Sequence, residues 1–493
     1  MQGLMLYSGN RLEQLAHKIA EVIAEPLSSP FSQEIIVVQS KGMEHWLSMQ
    51  LAREHGICAN CAFPFPNRIM ADLFARVLPE EVTRGSALFE TDALAWRIMD
   101  VLPGFVGKPG FEALTSYLAD DRRGVRSYQF SFRMAEMFDS YMVYRPDMLL
   151  AWEEGRLVLP EAHAKVESWQ SVLWRAVCER GGHAHLARLR ERFMEALDPS
   201  CTPRLPERLC LFGISHLPPF HLGVFHALSR LIPVHVFALN PCRQYWGDIR
   251  SEREIAAISE RSGHPEDELY LEEGNSILAA LGRLERELFD MLQELDPHET
   301  ELFEDIPGHT LLQSIQADIL DLRNPRPDEL RRVGADDCSL EIHSCHGPMR
   351  EVEVLRDRLL ALMDEDPDLK PEEIVVMAPD IRVYAPYIQA VFDVPRNSPL
   401  YIPFTLSDRS REARGTLADV IGSILGLGVS RFEATKVAAL LESEPVRRKF
   451  GLREEDLELI LTWIQESGIR WGCDEKWKRE QGLPEVYENT WSF

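Results

Sequence analysis

The residues best suited to chemistry stand just after a short apolar run, Ile35-Ile36-Val37-Val38. Gln39 and Lys41 follow at once, and His45 comes one helical turn later. A glutamine amide can pair with a base edge, and a lysine or histidine can meet phosphate or a base acceptor. Phe63-Pro64-Phe65-Pro66 adds two rings on a backbone stiffened by its prolines. One ring can face the core while the other is presented for stacking on an unpaired base, or both can be core. Arg122-Arg123-x-x-Arg126 is the densest basic cluster of the first half, either a phosphate contact or a solvated loop.

What the same places lack is also informative. A nucleotide-binding strand–loop–helix unit needs a Gly-rich loop ending in Gly-Lys-Ser/Thr, whose amides surround the phosphates. Gln39-Ser40-Lys41-Gly42 is too short for that, and Gly42 precedes Met43. A motor ATPase also sets a carboxylate pair at a strand end to hold magnesium and polarise water. After Leu209–Phe212 the chain reads Gly213-Ile214-Ser215-His216, with no acidic residue. ATP hydrolysis by this chain is therefore not expected, and no catalytic residue is assigned.

Three other clusters are weaker. Cys58-x-x-Cys61 has no second pair at zinc-ligand spacing, which favours two core-facing thiols. His343-Ser344-Cys345-His346 lacks a partner carboxylate for nucleophilic chemistry. Asp474-Glu475-Lys476 lies in a charged run and reads as solvated helix or loop. No metal ligand follows from the sequence.

The elements that would position these residues alternate strand and helix. Leu4–Tyr7 is a strand, and Ser8-Gly9-Asn10 offers an N-cap to the periodic run Leu12, Leu15, Ile19, Ile23. Glu34–Ser40 has the apolar continuity of a parallel strand buried on both faces, with a helix from about Met43. Arg208–Phe212, Pro219–Leu231 and Val234–Ala238 read as a βαβ unit. The spacing predicts an α/β fold of parallel sheets with large helical insertions. A first α/β domain covers 1–78 and 203–250, with a helical insert at 79–202. A charged, mostly helical extension covers 251–333, with loops near Gly263–Glu273 and a linker at Asn324-Pro325-Arg326-Pro327. A second α/β domain at 334–430 takes strands from Ser339–His343 and Glu373–Met377 and helices from Pro348–Met363 and Tyr384–Phe392. A helical segment follows at 431–493.

Composition narrows the class. The 493 residues suit several domains, and no apolar segment approaches the roughly 20 residues of a membrane helix. Nine scattered cysteines and an N-terminus without a basic-then-apolar leader point to a cytoplasmic protein. A net charge of −26 argues against a coat of basic surface on nucleic acid, but not against a local channel.

Longer motifs carry a resemblance. Met5-x-Tyr7-Ser8-x-Asn10-Arg11-Leu12, Val38-Gln39-Ser40-x-Gly42-Met43-x-x-Trp46-Leu47 and Phe63-Pro64-x-Pro66 resemble the opening of the RecC family, the gamma subunits of bacterial exodeoxyribonuclease V. Phe138-Asp139-x-Tyr141-x-Val143-Tyr144-Arg145-Pro146-Asp147 and Asn240-Pro241-Cys242-Arg243-x-Tyr245-Trp246-Gly247-Asp248-Ile249 are similar to it, as is Ser467-Gly468-Ile469-Arg470-Trp471-Gly472. The resemblance implies inactive superfamily-1 helicase-like, RecA-like domains. It implies a subunit that guides unwound strands and reads the Chi sequence beside RecB-like helicase–nuclease and RecD-like helicase partners. Its ligands would be double-stranded DNA ends and single-stranded DNA, with no cofactor in this chain and ATP and Mg2+ used by the partners. Gln39, Asp139 and Arg145 match the family's Chi-channel pattern. Lys41, His45, Phe65, Glu136 and Met137 occupy aligned places with other residue types, and Ala71 and Leu186 lose an aromatic and a basic group. Family members run about twice as long, so the chain reads as an N-terminal portion with a poorly covered second α/β domain.

Overall fold

In a computed structural model the described residues are 3–492 apart from 81–84, 122–123, 266–267, 270, 272–273, 326–332, 407–416, 429 and 483–488. The chain forms two compact units, residues 1–342 and 343–493.

The first unit is built on six strands: β1 (Leu4–Gly9), β2 (Glu34–Val37), β3 (Cys61–Ala62), β4 (Leu209–Phe212), β5 (Val234–Leu239) and β6 (His298–Glu301). They form one parallel sheet in the order β3-β2-β4-β5-β1-β6. The period-two alternation of a strand sends Ile36 and Val38 to one face and Ile35 and Val37 to the other. Ile36 and Val38 pack with Leu15 and Ile19 of α1 (Leu12–Ala24) and Leu47 and Leu51 of α2 (Lys41–His55). Ile35 and Val37 pack with Ile69, Leu73 and Phe74 of α3 (Pro66–Val77). Both faces are covered, which is why the apolar run is continuous.

Between β3 and β4 the chain builds a helical block with its own core. Its main helices are α4 (Thr91–Val101), α5 (Val125–Tyr144), α6 (Pro146–Glu153), α7 (Ala164–Gly181) and α8 (Leu186–Ala196). Leu94, Ile98, Phe138, Trp152, Trp174 and Val177 fill that core. Leu186 packs against both this core and that of the sheet. α9 (Pro219–Ser229) then joins β4 to β5 as the βαβ reading expects.

Residues 251–333, expected to be mostly helical, also contribute a strand. β6 adds to the sheet edge beside β1, with Met5 opposite His298 and Ser8 opposite Glu301. Its four residues, His-Glu-Thr-Glu, are all exposed, so no apolar alternation marks them as a strand.

In the second unit the helices α10 (Pro348–Glu365) and α11 (Ile381–Phe392) pack through Val352, Leu359, Val391 and Phe392. The expected strands Ser339–His343 and Glu373–Met377 are not formed among the described residues. Apart from Ile374 their apolar side chains are exposed, Ile342 at 91% and Met377 at 89%, and neither run meets a partner strand among the described residues. A strand without a ladder has no partners for its backbone groups, so it stays irregular. Asp474 caps the helix Glu475–Glu480, accepting from Trp477 N at 2.7 Å, which accounts for the Asp-Glu-Lys run. No helix among the described residues is long and apolar enough to cross a membrane.

Candidate nucleic-acid interface

Ligands in open parallel sheets bind outside the strand ends where neighbouring connections depart in opposite directions. β2 and β4 form one such point: the chain leaves β2 towards β3 and leaves β4 towards β5 on the other side. The β2–α2 connection is only Val38-Gln39-Ser40, and the Ser40 hydroxyl caps α2 by accepting from Met43 N at 3.1 Å. Gln39 crosses the gap. Its Nε2 donates to His216 O at 3.0 Å, and its Oε1 accepts from Ser215 N and Ser215 Oγ, both at 3.2 Å. The amide oxygen is thereby saturated and one N–H is left over.

Beside this bridge the aromatic segment divides its rings. Phe63 packs against the core of the α1–α2 face, while Phe65 is 38% exposed. Val38 N donates to Pro64 O at 3.2 Å and fixes that loop to the end of β2. Lys41 Nζ lies 5.6 Å from the centroid of the Phe65 ring and pairs with Glu44. His45 is exposed on α2. Gln39, Lys41, His45 and Phe65 thus belong to one edge of the sheet.

The other four residues lie on the α5–α6 corner. Glu136 is held by Arg133 at 2.9 Å, and Met137 packs against the helical core. Asp139 has an exposed side, yet the protein around it pushes its carboxyl above the ordinary range by desolvation. Arg145 makes the corner itself: its N–H donates to Tyr141 O at 2.9 Å and its carbonyl accepts from Met148 N at 3.2 Å. Its side chain is exposed. Among the described residues no hydrogen bond, ion pair or ring contact joins the two groups. Ala71 is exposed on α3, and Leu186 is packed rather than presented. Arg122 and Arg123 lie outside the described residues, and Arg126 donates to Tyr117 O at 3.1 Å.

A second crevice escaped the sequence reading. The chain leaves β1 for β2 and leaves β5 for β6, in opposite directions, so the β1–β5 boundary is another point of reversal. The segment after β6 runs past the end of β1, and its Asp305 pairs with Arg243, beyond β5, at 2.7 Å. Leu302 N donates to Ser8 O at 2.7 Å, and a Cβ on Gly9 would stand 2.6 Å from Leu302 O. Asn10 does not cap α1. It exchanges two 2.9 Å hydrogen bonds with the Glu304 backbone, and Arg11 is the cap residue. The Glu304 carboxylate reaches Gln14 and lies 3.8 Å from Arg11, at the end of α1 where an anion is favoured. The only signal in the sequence was Ser8-Gly9-Asn10 after a buried strand.

Of the Cys58–Cys61 pair, expected to face the core, neither is fully buried and Cys61 joins no core cluster among the described residues. Cys58 packs on the sheet, and the Cys61 thiol is pushed up to about 12, first by burial and then by Cys58.

Residues 4–322 match the family model described as the RecC N-terminal domain, well over half of the chain. The chain belongs to the RecC family. Residues 414–493 match the fourth domain of the RecBCD enzyme subunit RecC. The RecC subunit of Escherichia coli K12 is 38% identical over 99% of this chain and 47% of its own length. That of Haemophilus influenzae is 34% identical over 97% and 47%, and that of Mycolicibacterium smegmatis 34% over 99% and 45%. The chain thus spans about half the length of these RecC relatives.

Proposed function

We propose that this chain is the DNA-handling, non-catalytic portion of a RecBCD-type helicase–nuclease serving double-strand break repair by recombination in the cytoplasm. The observation that carries the reading is that the chain's own groups stand at the two strand ends where a nucleotide would bind. Gln39 spans the gap at one, and Glu304 stands at the helix end where a phosphate would otherwise sit. A nucleotide phosphate entering there would meet a like charge. In this reading the scaffold is an inactive superfamily-1 helicase, and ATP and Mg2+ serve RecB-like and RecD-like partners. The exposed edge beside Gln39 carries Lys41, His45 and Phe65, a cation, an imidazole and a stacking ring suited to unpaired bases. Gln39 keeps a single N–H for a base acceptor, so it contributes to Chi reading as a donor and not as a bidentate pair.

The test is single-stranded DNA binding by the purified chain, read by fluorescence anisotropy. Phe65→Ala weakens binding by about 1–3 kcal/mol whatever the sequence. Gln39→Ala changes discrimination between sequences more than mean affinity. Absence of DNA binding by the parent chain would leave a scaffold that touches no DNA, affinity unmoved by Phe65→Ala would take that ring out of the interface, and micromolar ATP binding would restore a motor.

A further inference from the structure

Within the helical block four metal-ligating side chains meet at a place unrelated to the sheet edge. They are Glu153 at the end of α6, Cys178 in the last turns of α7, His183 in the α7–α8 connection and His185 at the N-cap of α8. One ligand atom from each lies within 4.8 Å of all the others. His183 Nδ1 is 2.9 Å from Glu153 Oε2, and His185 Nε2 contacts Glu153 Oε1. The Cys178 and His185 side chains are buried and that of Glu153 nearly so, while His183 closes the cluster from the solvent side.

We infer that Glu153, Cys178, His183 and His185 form a structural site for a zinc-class divalent cation. A thiolate, two imidazoles and a carboxylate are borderline-soft ligands that suit zinc in a closed four-coordinate site. The charges balance, because one thiolate and one carboxylate neutralise a dication while both imidazoles stay neutral. Binding releases the Cys178 proton to solvent. Arg188 Nη2 contacts Glu153 Oε2 at 2.9 Å. It can remain there as the outer partner that orients a ligating carboxylate whose Oε1 faces the metal. One local bond must yield. His185 Nδ1 accepts from Arg188 N at 3.3 Å, and metal on Nε2 moves the ring proton to Nδ1.

The location gives the site a purpose. It ties the ends of α6 and α7 to the start of α8, and Leu186, the first residue of α8, packs on both the helical core and the sheet core. A metal there sets the seat of the helical block on the sheet.

The full 493-residue chain, purified without chelator or polyhistidine tag, should carry zinc in stoichiometric amount by elemental analysis. After chelation, Co2+ should bind with a thiolate-to-cobalt charge-transfer band. Cys178→Ser should abolish that band. His183→Ala, at an exposed position, should lower affinity about tenfold or more with the circular dichroism spectrum intact. Cys345→Ser, outside the cluster, should change nothing. Absence of zinc together with failure to bind Co2+ in the parent chain would overturn the assignment and leave an ion-paired cluster only. Cobalt binding that survives both cluster variants would overturn it equally.

Discussion

Glu34-Ile35-Ile36-Val37-Val38 and Glu373-Ile374-Val375-Val376-Met377 are nearly the same peptide, and they end in different structures. The first enters the sheet between β3 and β4, with every apolar side chain buried. The second leaves Val375 78% exposed and meets no ladder among the described residues. The glutamates diverge too. Glu34 is gripped by Arg208, whereas Glu373 folds back to accept from Lys370 N at 2.9 Å. A β-prone peptide becomes a strand only where neighbours can take its backbone groups and cover its faces.

Three measurements can break or sharpen that contrast. The largest effect should come from Arg208→Ala. Arg208 is nearly buried, pairs with Glu34 and donates to Val22 O at 3.0 Å and Glu25 O at 2.7 Å. Its loss strands Glu34 and should cost about 3–5 kcal/mol in denaturant unfolding of the sheet. Ile36→Ala should cost about 2–5 kcal/mol by emptying a fully buried site. Val375→Ala should stay within about 0.5 kcal/mol, as at ordinary exposed positions; equal costs for the two would erase the distinction.

The third concerns acid. Burial chiefly, and then the Arg208 charge, push His235 of β5 down from 6.5 to about 4, where it contacts Tyr7 Oη at 3.3 Å. Below pH 6.5 the unfolded chain takes up a proton that the folded chain refuses. The sheet should therefore lose roughly 3 kcal/mol as pH falls to about 4, and then level off. His235→Phe should remove its share of that limb, leaving the part due to His221 of α9, which burial also pushes down to about 4, and hydrogen exchange in residues 343–493 should not respond.

Much of the first unit was legible because its signals are local. Apolar runs gave β1, β2, β4 and β5, while the prolines left open whether Phe63 and Phe65 divide between core and surface. The errors share a cause. β6 is polar throughout and exists only because β1 pairs with it, while the runs at 339–343 and 373–377 look right and lack partners. At the site, the peptide chemistry of Gln39 was visible but its saturation by Ser215 and His216 was not, since those residues come some 176 positions later. Glu304 reaches back from 294 positions away to Asn10, and Glu153, Cys178, His183 and His185 show no recognisable ligand spacing.

β6 has one more effect, on colloidal behaviour. As the last strand on its side of the sheet it has no further strand beside it among the described residues. Glu301 and Glu299, the latter accepting from Ser8 Oγ at 2.7 Å, put negative charge on that strand, so a second copy approaching edge to edge would be repelled before it could zip on.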